Sequence, residues 1–249
     1  MDDADGQHEC VRTLAEPKED YTLIVTGNSS SIKTDFPHPI YLKKDRSYEL
    51  ALTNLETYYS FPNVDSTNNT FNFSKDSGKT WQTVKIPIGC YEIDAINTEI
   101  IRQIGNNSIT IKPNRNTLQS ILSIANNYAV DFSMPNCLAS VLGFDPKIYK
   151  SGTHTSEHIV NILRVNSILV HSNIVSGSYL AGRQQPVIYS FFPNVAPGVK
   201  IIVTPTNLTY CPITVDTIST LTSWLTDQNY EPINLRGETL TIRLHLRER

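Results

Sequence analysis

A chain of 249 residues and 28.0 kDa, 39% apolar and 18% charged, is long enough to bury a large core, so disorder along its whole length is excluded. Its net charge of −3 leaves no basic footprint for nucleic acid. No apolar run approaches the ~20 residues that a membrane helix needs. The chain holds 26 Ile, 15 Val and 25 Thr against 9 Ala. β-Branched side chains suit pleated surfaces and alanine suits helices, so this balance predicts a mainly β protein.

Charge is uneven. Residues 1–20 carry seven acids (Asp2, Asp3, Asp5, Glu9, Glu16, Glu19, Asp20) against Arg12 and Lys18, which predicts an acidic, flexible N-terminal arm. The start, Met1 to Cys10, has neither a basic region nor an apolar one and does not read as a secretory signal. Cys10, Cys90, Cys137 and Cys211 form no Cys-x-x-Cys pair. Both observations predict reduced thiols in a protein made in the cytoplasm or nucleus and not secreted.

In chain order, Tyr21 to Thr26 reads as a short strand ended by Gly27-Asn28, followed by a Ser- and Pro-containing loop. Tyr48 to Thr57 alternates, with Tyr48, Leu50 and Leu52 on one face. Phe71–Phe73 and Thr80–Pro87 read as two strands around the turn Asp76–Gly78. The character then changes. Ile93, Ile96, Ile100, Ile101 and Ile104 share one helical face, with Asp94 in the first turn and Gly105 as the stop. Strands are predicted over Ser108–Lys112, Leu118–Ala125 and Tyr128–Phe132. A short helix carries Leu138, Val141 and Leu142, stopped by Gly143 with Phe144 after it. From Ile159 the β character returns: Ile159–His171, Pro186–Phe192, Val199–Thr204, Thr209–Ile213 and Ile218–Thr226. Leu240–Arg247 closes the series, with Leu240, Ile242, Leu244 and Leu246 on one face and Arg243, His245 and Arg247 on the other. About eight to ten strands fall outside the central unit, the tally of a two-sheet sandwich such as a jelly roll. The expected organisation is an arm at 1–20, a single jelly-roll sandwich from 21–86 and 151–249, and a small α+β insertion at 87–150.

Motifs of catalysis and metal binding are weak. Gly78-Lys79-Thr80 ends like a phosphate loop, but Phe73 stands where that motif needs glycine, so a hairpin is the better reading. His154 and His158 have no third ligand nearby in sequence. Ser30 and Lys33 lack the companion motifs of a Ser/Lys hydrolase. The sequence therefore assigns no catalytic residue, no cofactor-binding residue, no metal ligand and no cofactor, and the protein is read as not an enzyme. Aromatic residues cluster twice, at Tyr58, Tyr59 and Phe61 and at Tyr189, Phe191 and Phe192. Packing is the simpler reading. A platform for glycan or peptide is the sharper one, and Ser190–Pro193, if exposed, would be a natural subunit contact.

Three stretches carry a resemblance. The first is Tyr48 to Thr57 with the Asn68–Phe71 region. The second is Ile86-Pro87-Ile88-Gly89-Cys90-Tyr91 with its helix, closing at Leu142-Gly143-Phe144. The third runs from Ser172–Val175 through Val187–Pro193 and Leu225–Gln228 to Leu235–Glu238 and the last strand. Together they resemble the penton (minor capsid) protein of Polinton/Maverick elements and adintoviruses over about residues 20–249. The resemblance implies a jelly roll of sheets BIDG and CHEF, forming a homopentamer at the fivefold vertices of an icosahedral capsid. It implies a double jelly-roll major capsid protein as partner, localisation in the virion capsid, an arm that reaches neighbouring capsomers, and vertices that can meet a host receptor. It transfers no catalytic residue. On the residues alone, Arg243 and Arg247, opposite the apolar face of the last strand, read equally as partners for acids on an adjoining subunit or as a plain solvated face. The alternative is a lectin-like receptor- or glycan-binding sandwich.

Overall fold

The computed structural model describes residues 18–176, 178–180 and 182–249. Most of the acidic arm, including Cys10, lies outside the described residues. The elements in chain order are β1 (Asp20–Gly27), β2 (Ser31–Tyr41), β3 (Tyr48–Tyr58), β4 (Thr70–Ser74), β5 (Gln82–Lys85), α1 (Ile93–Ile104), β6 (Ile109–Asn114), β7 (Gln119–Asp131), α2 (Ala139–Leu142) and β8 (Ile148–Thr155). Then come β9 (Ile168–Ser172), β10 (Ser178–Leu180), β11 (Arg183–Gln185), β12 (Val187–Phe191), β13 (Lys200–Val203), β14 (Cys211–Pro212), β15 (Thr217–Thr226) and β16 (Leu240–Glu248).

Two antiparallel sheets face each other. One has the order β1-β16-β3-β13, with β14 also on β3; the other has the order β12-β9-β15-β2. Lettered B to I along the chain, with β13 and β14 sharing G, these orders are BIDG and CHEF, the two sheets of a jelly roll. The alternation of β16 places Leu240, Ile242, Leu244 and Leu246 in the core between the sheets, all at 0% exposure. In β3 the inward set is Tyr48, Leu50 and Leu52, then Leu55. The change of parity has a cause. Arg243 pairs with Asn54 and Leu244 with Leu52, so Thr53 is an extra residue in β3, and its hydroxyl donates to the Arg243 carbonyl at 3.0 Å. β15 also changes parity, from Ile218 to Leu221 and Leu225, across an irregular stretch in which Ser219 alone faces residues 36–39 of β2.

A third sheet, β5-β4-β7-β6 with β8 also on β7, forms between β3 and β9. Together with α1 and α2 it buries a separate core of Phe71, Val84, Ile96, Ile100, Leu122, Phe132 and their neighbours. The isoleucine stripe of α1 turns Ile93, Ile96, Ile100 and Ile104 into this core; Ile101 stays half-buried at its margin. Gly105 ends α1 and Gly143 ends α2, each in the left-handed region at φ 82°. At Gly143 a Cβ would stand 2.3 Å from the His158 carbonyl oxygen, so the site demands glycine twice over.

Four expectations change. β4 and β5 belong to the third sheet, not to the sandwich, because Asn72 to Ser74 pair with Ala129 to Asp131 of β7. β2, read as a loop, is an eleven-residue strand. Its Pro37 and Pro39 fall in the irregular stretch between the pairs Ile40–Ile218 and Asp35–Thr220, on the edge of the sheet where no ladder donor is required. Leu118–Ala125 and Tyr128–Phe132 are one strand, β7, bulged between Ile124 and Ala129. The alternating stretch Ile159–Ser167 is not a strand; only Ile168–Ser172 pairs. Ile159–Ser167 is the return path from the third sheet, packing Val160 and Ile162 on one core and Val165 on the other. Asn63, on the outward path, stitches the two crossings: its side-chain amide donates to the carbonyls of Tyr91 (2.7 Å) and Ile162 (3.2 Å) and accepts from Tyr91 N–H at 2.8 Å.

Candidate assembly surfaces

The two aromatic clusters lie about 130 residues apart in sequence but meet in space. Tyr59 stacks on Phe61 with ring centroids 4.2 Å apart, and both line a cavity of about 390 Å³ whose far wall is Phe192 and Pro193. The convergence follows from the topology. β3 ends at Tyr58 and β12 ends at Phe191, and both ends point toward the third sheet. The Cys90 thiol donates to the Phe61 carbonyl at 3.2 Å, and burial pushes its pKa up. Burial likewise raises the pKa of Tyr59. Phe61 is buried and Tyr59 packs on the sandwich core, so this pair is committed to packing and offers no flat ring to a sugar. Phe192, at 53% exposed, and Tyr58, at 39%, are the open members of the two clusters.

Beside this cavity runs a larger groove of about 770 Å³ that shares Glu92, Ile162 and Leu163 with it. Leu118, Ile159 and Leu163 line it, each more than half exposed. Exposed apolar side chains therefore follow the join of the sandwich and the third sheet, from Leu118 and Ile159 through Leu163 to Phe192, among polar groups such as Glu92, Asp94 and Arg115; such a patch marks a contact surface.

The outer face of the BIDG sheet is charged, and its charges are largely satisfied within the chain. Arg247 Nη2 lies 2.6 Å from Glu49 Oε1, and its guanidinium sits 3.5 Å over the Tyr210 ring. The hydrogen bond from Arg247 to Glu49 holds the guanidinium pKa above its ordinary value. Tyr210 Oη is 2.7 Å from His245 Nδ1, and His245 Nε2 also contacts Asp20. Lys200 pairs with Glu56 at 2.5 Å, which lowers the Glu56 pKa. Arg247 is thus engaged inside its own subunit, neither waiting for an acid on a neighbour nor simply solvated. At the strand ends below, Tyr48 donates to Glu19 at 2.5 Å, Lys43 lies 3.5 Å from Glu19, and Arg46 pairs with Glu248.

The weak motifs are dispersed. His154 Nε2 faces the Lys150 carbonyl at 2.7 Å, whereas His158 Nε2 faces Asp145 at 3.1 Å, so the two imidazoles serve different partners. Gly78-Lys79-Thr80 closes the β4–β5 hairpin around Asp76. That carboxylate accepts from Ser74, from Thr80 Oγ1 and from the backbone N–H groups of Lys79 and Thr80, and these bonds hold its pKa far below the usual carboxylate range. Lys33 pairs with Asp35 on the outer face of β2, and the Ser30 carbonyl accepts from Leu225 N–H. No helix among the described residues is long and apolar enough to cross a membrane. Sequence reasoning missed His171, which is buried on β9 with its ring stacked on Trp224. A histidine inside a short apolar run was the available signal.

No family model matches the chain, and no curated protein matches its sequence. Among solved structures it is similar to the crystal structure of the mavirus penton protein, at 11% identity and a TM-score of 0.49, covering 93% of this chain and 100% of that one.

Proposed function

We propose that the chain is a structural virion protein: a penton whose copies form a homopentamer at the fivefold vertices of an icosahedral capsid. The observation that carries this reading is a BIDG/CHEF jelly roll whose junction end bears a strip of exposed apolar side chains while the charges of its BIDG face are largely paired internally. Jelly rolls recur in capsids and lectins, so the surface must decide between them. Here two of the three rings at the candidate sugar site, Tyr59 and Phe61, are spent on packing and only Tyr58 is exposed, and the exposed apolar side chains of the strip are aliphatic plus Phe192. A closed ring needs two different patches on each copy that fit one another. The apolar strip is one such patch; the BIDG face, with Ile24 and Ile202 exposed among its paired charges, is the second. The sequence resemblance supplies the vertex position, the double jelly-roll major capsid protein as partner, and the virion capsid as location. The reading is non-enzymatic. The carboxylate–histidine pairs Asp145–His158 and Asp20–His245 lie on outer surfaces, not in a deep pocket.

Mass photometry of the purified protein tests this. A species at five times the 28.0 kDa chain mass is expected, and Leu163→Asp with Phe192→Asp should reduce it to monomer while leaving the circular dichroism unchanged. A wild-type protein that stays monomeric both alone and when mixed with its capsid partner overturns the reading.

A further inference from the structure

His171 is 2% exposed on the outer side of the CHEF sheet. Its ring lies face to face with the Trp224 indole, with centroids 4.9 Å apart and planes 5° apart. Nε2 is 2.9 Å from Thr226 Oγ1, and that hydroxyl donates to the Asp227 carbonyl at 3.2 Å. The hydroxyl oxygen is therefore left to accept, and Nε2 carries the imidazole proton. Nδ1 is then a bare lone pair with no partner among the described residues. A second proton would create a buried cation with no acceptor. Burial alone pushes the imidazole pKa down to about 4.

The turn Asp227–Pro232 lies against this ring, with the Tyr230 ring centroid 6.4 Å from that of the imidazole. It is tied by Asp227 N–H to the Glu231 carbonyl (2.8 Å), by Tyr230 N–H to the Asp227 carbonyl (3.1 Å), and by Asp227 Oδ1 accepting from Asn229 and Glu231 N–H groups. The same turn holds the return path from the third sheet. Gln228 Oε1 accepts from Asn166 N–H at 3.0 Å and Ser167 N–H at 3.4 Å, and Gln228 Nε2 donates to the Arg164 carbonyl at 2.9 Å. Arg164 in turn pairs with Asp65 on the outward path at 2.7 Å. One turn thus seals the histidine on one side and clasps the joint between the two cores on the other.

We propose that protonation of His171 opens the turn Asp227–Pro232 and releases the clasp on Arg164–Ser167, so that acid loosens the joint while both cores stay folded. This goes beyond the capsid reading and does not depend on it. Around the imidazole, β9 and β12 present no charged side chain; Val187 of β12 stands opposite His171, and Tyr189, opposite Val170, turns to the sandwich core. β15 presents Trp224 and Thr226, and the turn presents Asp227, Tyr230 and Glu231. The two carboxylates of the turn, and Asp65 across the clasp, are the competing source of acid sensitivity.

The test uses the full chain carrying Trp81→Phe, which leaves Trp224 as the single indole. Its emission and the amide exchange of residues 226–233 and 163–167 are followed from pH 7 to pH 3.5. Exchange in those two stretches, corrected for intrinsic rates, is expected to rise at least about tenfold in step with the emission change, with β7 amides within about twofold. His171→Phe, which keeps the stack, and His171→Gln, which keeps a donor to Thr226, should each cut the rise to less than about twofold. An undiminished rise in either folded variant assigns the effect to the carboxylates and overturns the proposal. So does a His171 imidazole that titrates above pH 6 in the wild-type NMR spectrum.

Discussion

The two cores are assembled from the chain in opposite ways. The sandwich joins two distant stretches: β1 lies beside β16 in unbroken register from Asp20–Arg247 to Gly27–Leu240. The third sheet takes its strands and both helices from one continuous interval between β3 and β9. Long-range pairing must close large loops before any contact rewards it, whereas the interval can collapse on near neighbours. The difference teaches where each kind of damage should appear. Each core also carries its own reporter, Trp224 on β15 and Trp81 beside β5.

The largest effects should come from cutting into each core. Leu244→Ala and Ile100→Ala each empty a fully buried site, one per core, and each should cost about 2–5 kcal/mol. In single-tryptophan backgrounds, urea melts should show Leu244→Ala moving the Trp224 transition and Ile100→Ala moving that of Trp81. Equal shifts of both probes would show that the cores melt as one unit. Next comes pH. The imidazole of His171 falls from 6.5 to about 4 on folding, so between those values the unfolded chain holds more protons than the folded one. Stability is therefore full above pH 6.5 and falls by about 3 kcal/mol as pH drops to 4, levelling below. Thermal melts of wild type and His171→Phe across that window measure the difference, with loss expected first at Trp224. Smaller again is the contrast of the two helix stops. Gly105→Ala meets open space and should cost about 1 kcal/mol, whereas Gly143→Ala meets a carbonyl oxygen and should cost at least about twice that. The smallest effect belongs to Arg247→Ala on the BIDG face. An exposed ion pair, even with a ring beneath it, is screened by solvent, so the urea midpoint should scarcely move.

The sequence was most readable where one side-chain period holds without interruption. Leu240 to Leu246 and the isoleucines of α1 keep strict spacing, and both elements fold as that spacing predicts. It was least readable where the backbone departs from the period. The extra residue Thr53 in β3 and the irregular stretch around Ser219 in β15 reverse the inward face within a single strand, and Pro37 and Pro39 disguise β2 because an edge bulge tolerates them. The Ile159–Ser167 stretch shows the converse: it alternates because it serves two cores in turn, not because it pairs. The boundary of the third sheet was hidden because a hairpin such as β4–β5 says nothing about which sheet will accept it. The meeting of Phe61 with Phe192, and the burial of His171, follow from topology that no local pattern records.

The stitch at Asn63 bears on how such a chain can diverge. All traffic between the roll and the third sheet passes through two crossings tied to each other by the Asn63 amide and by the Arg164–Asp65 pair. Everything beyond that stitch is an exchangeable cassette, free to be rewritten, enlarged or shed by descent without disturbing the register of the roll. Lineages sharing this architecture should therefore differ most between Asn63 and Ile162, while the neck itself drifts slowest.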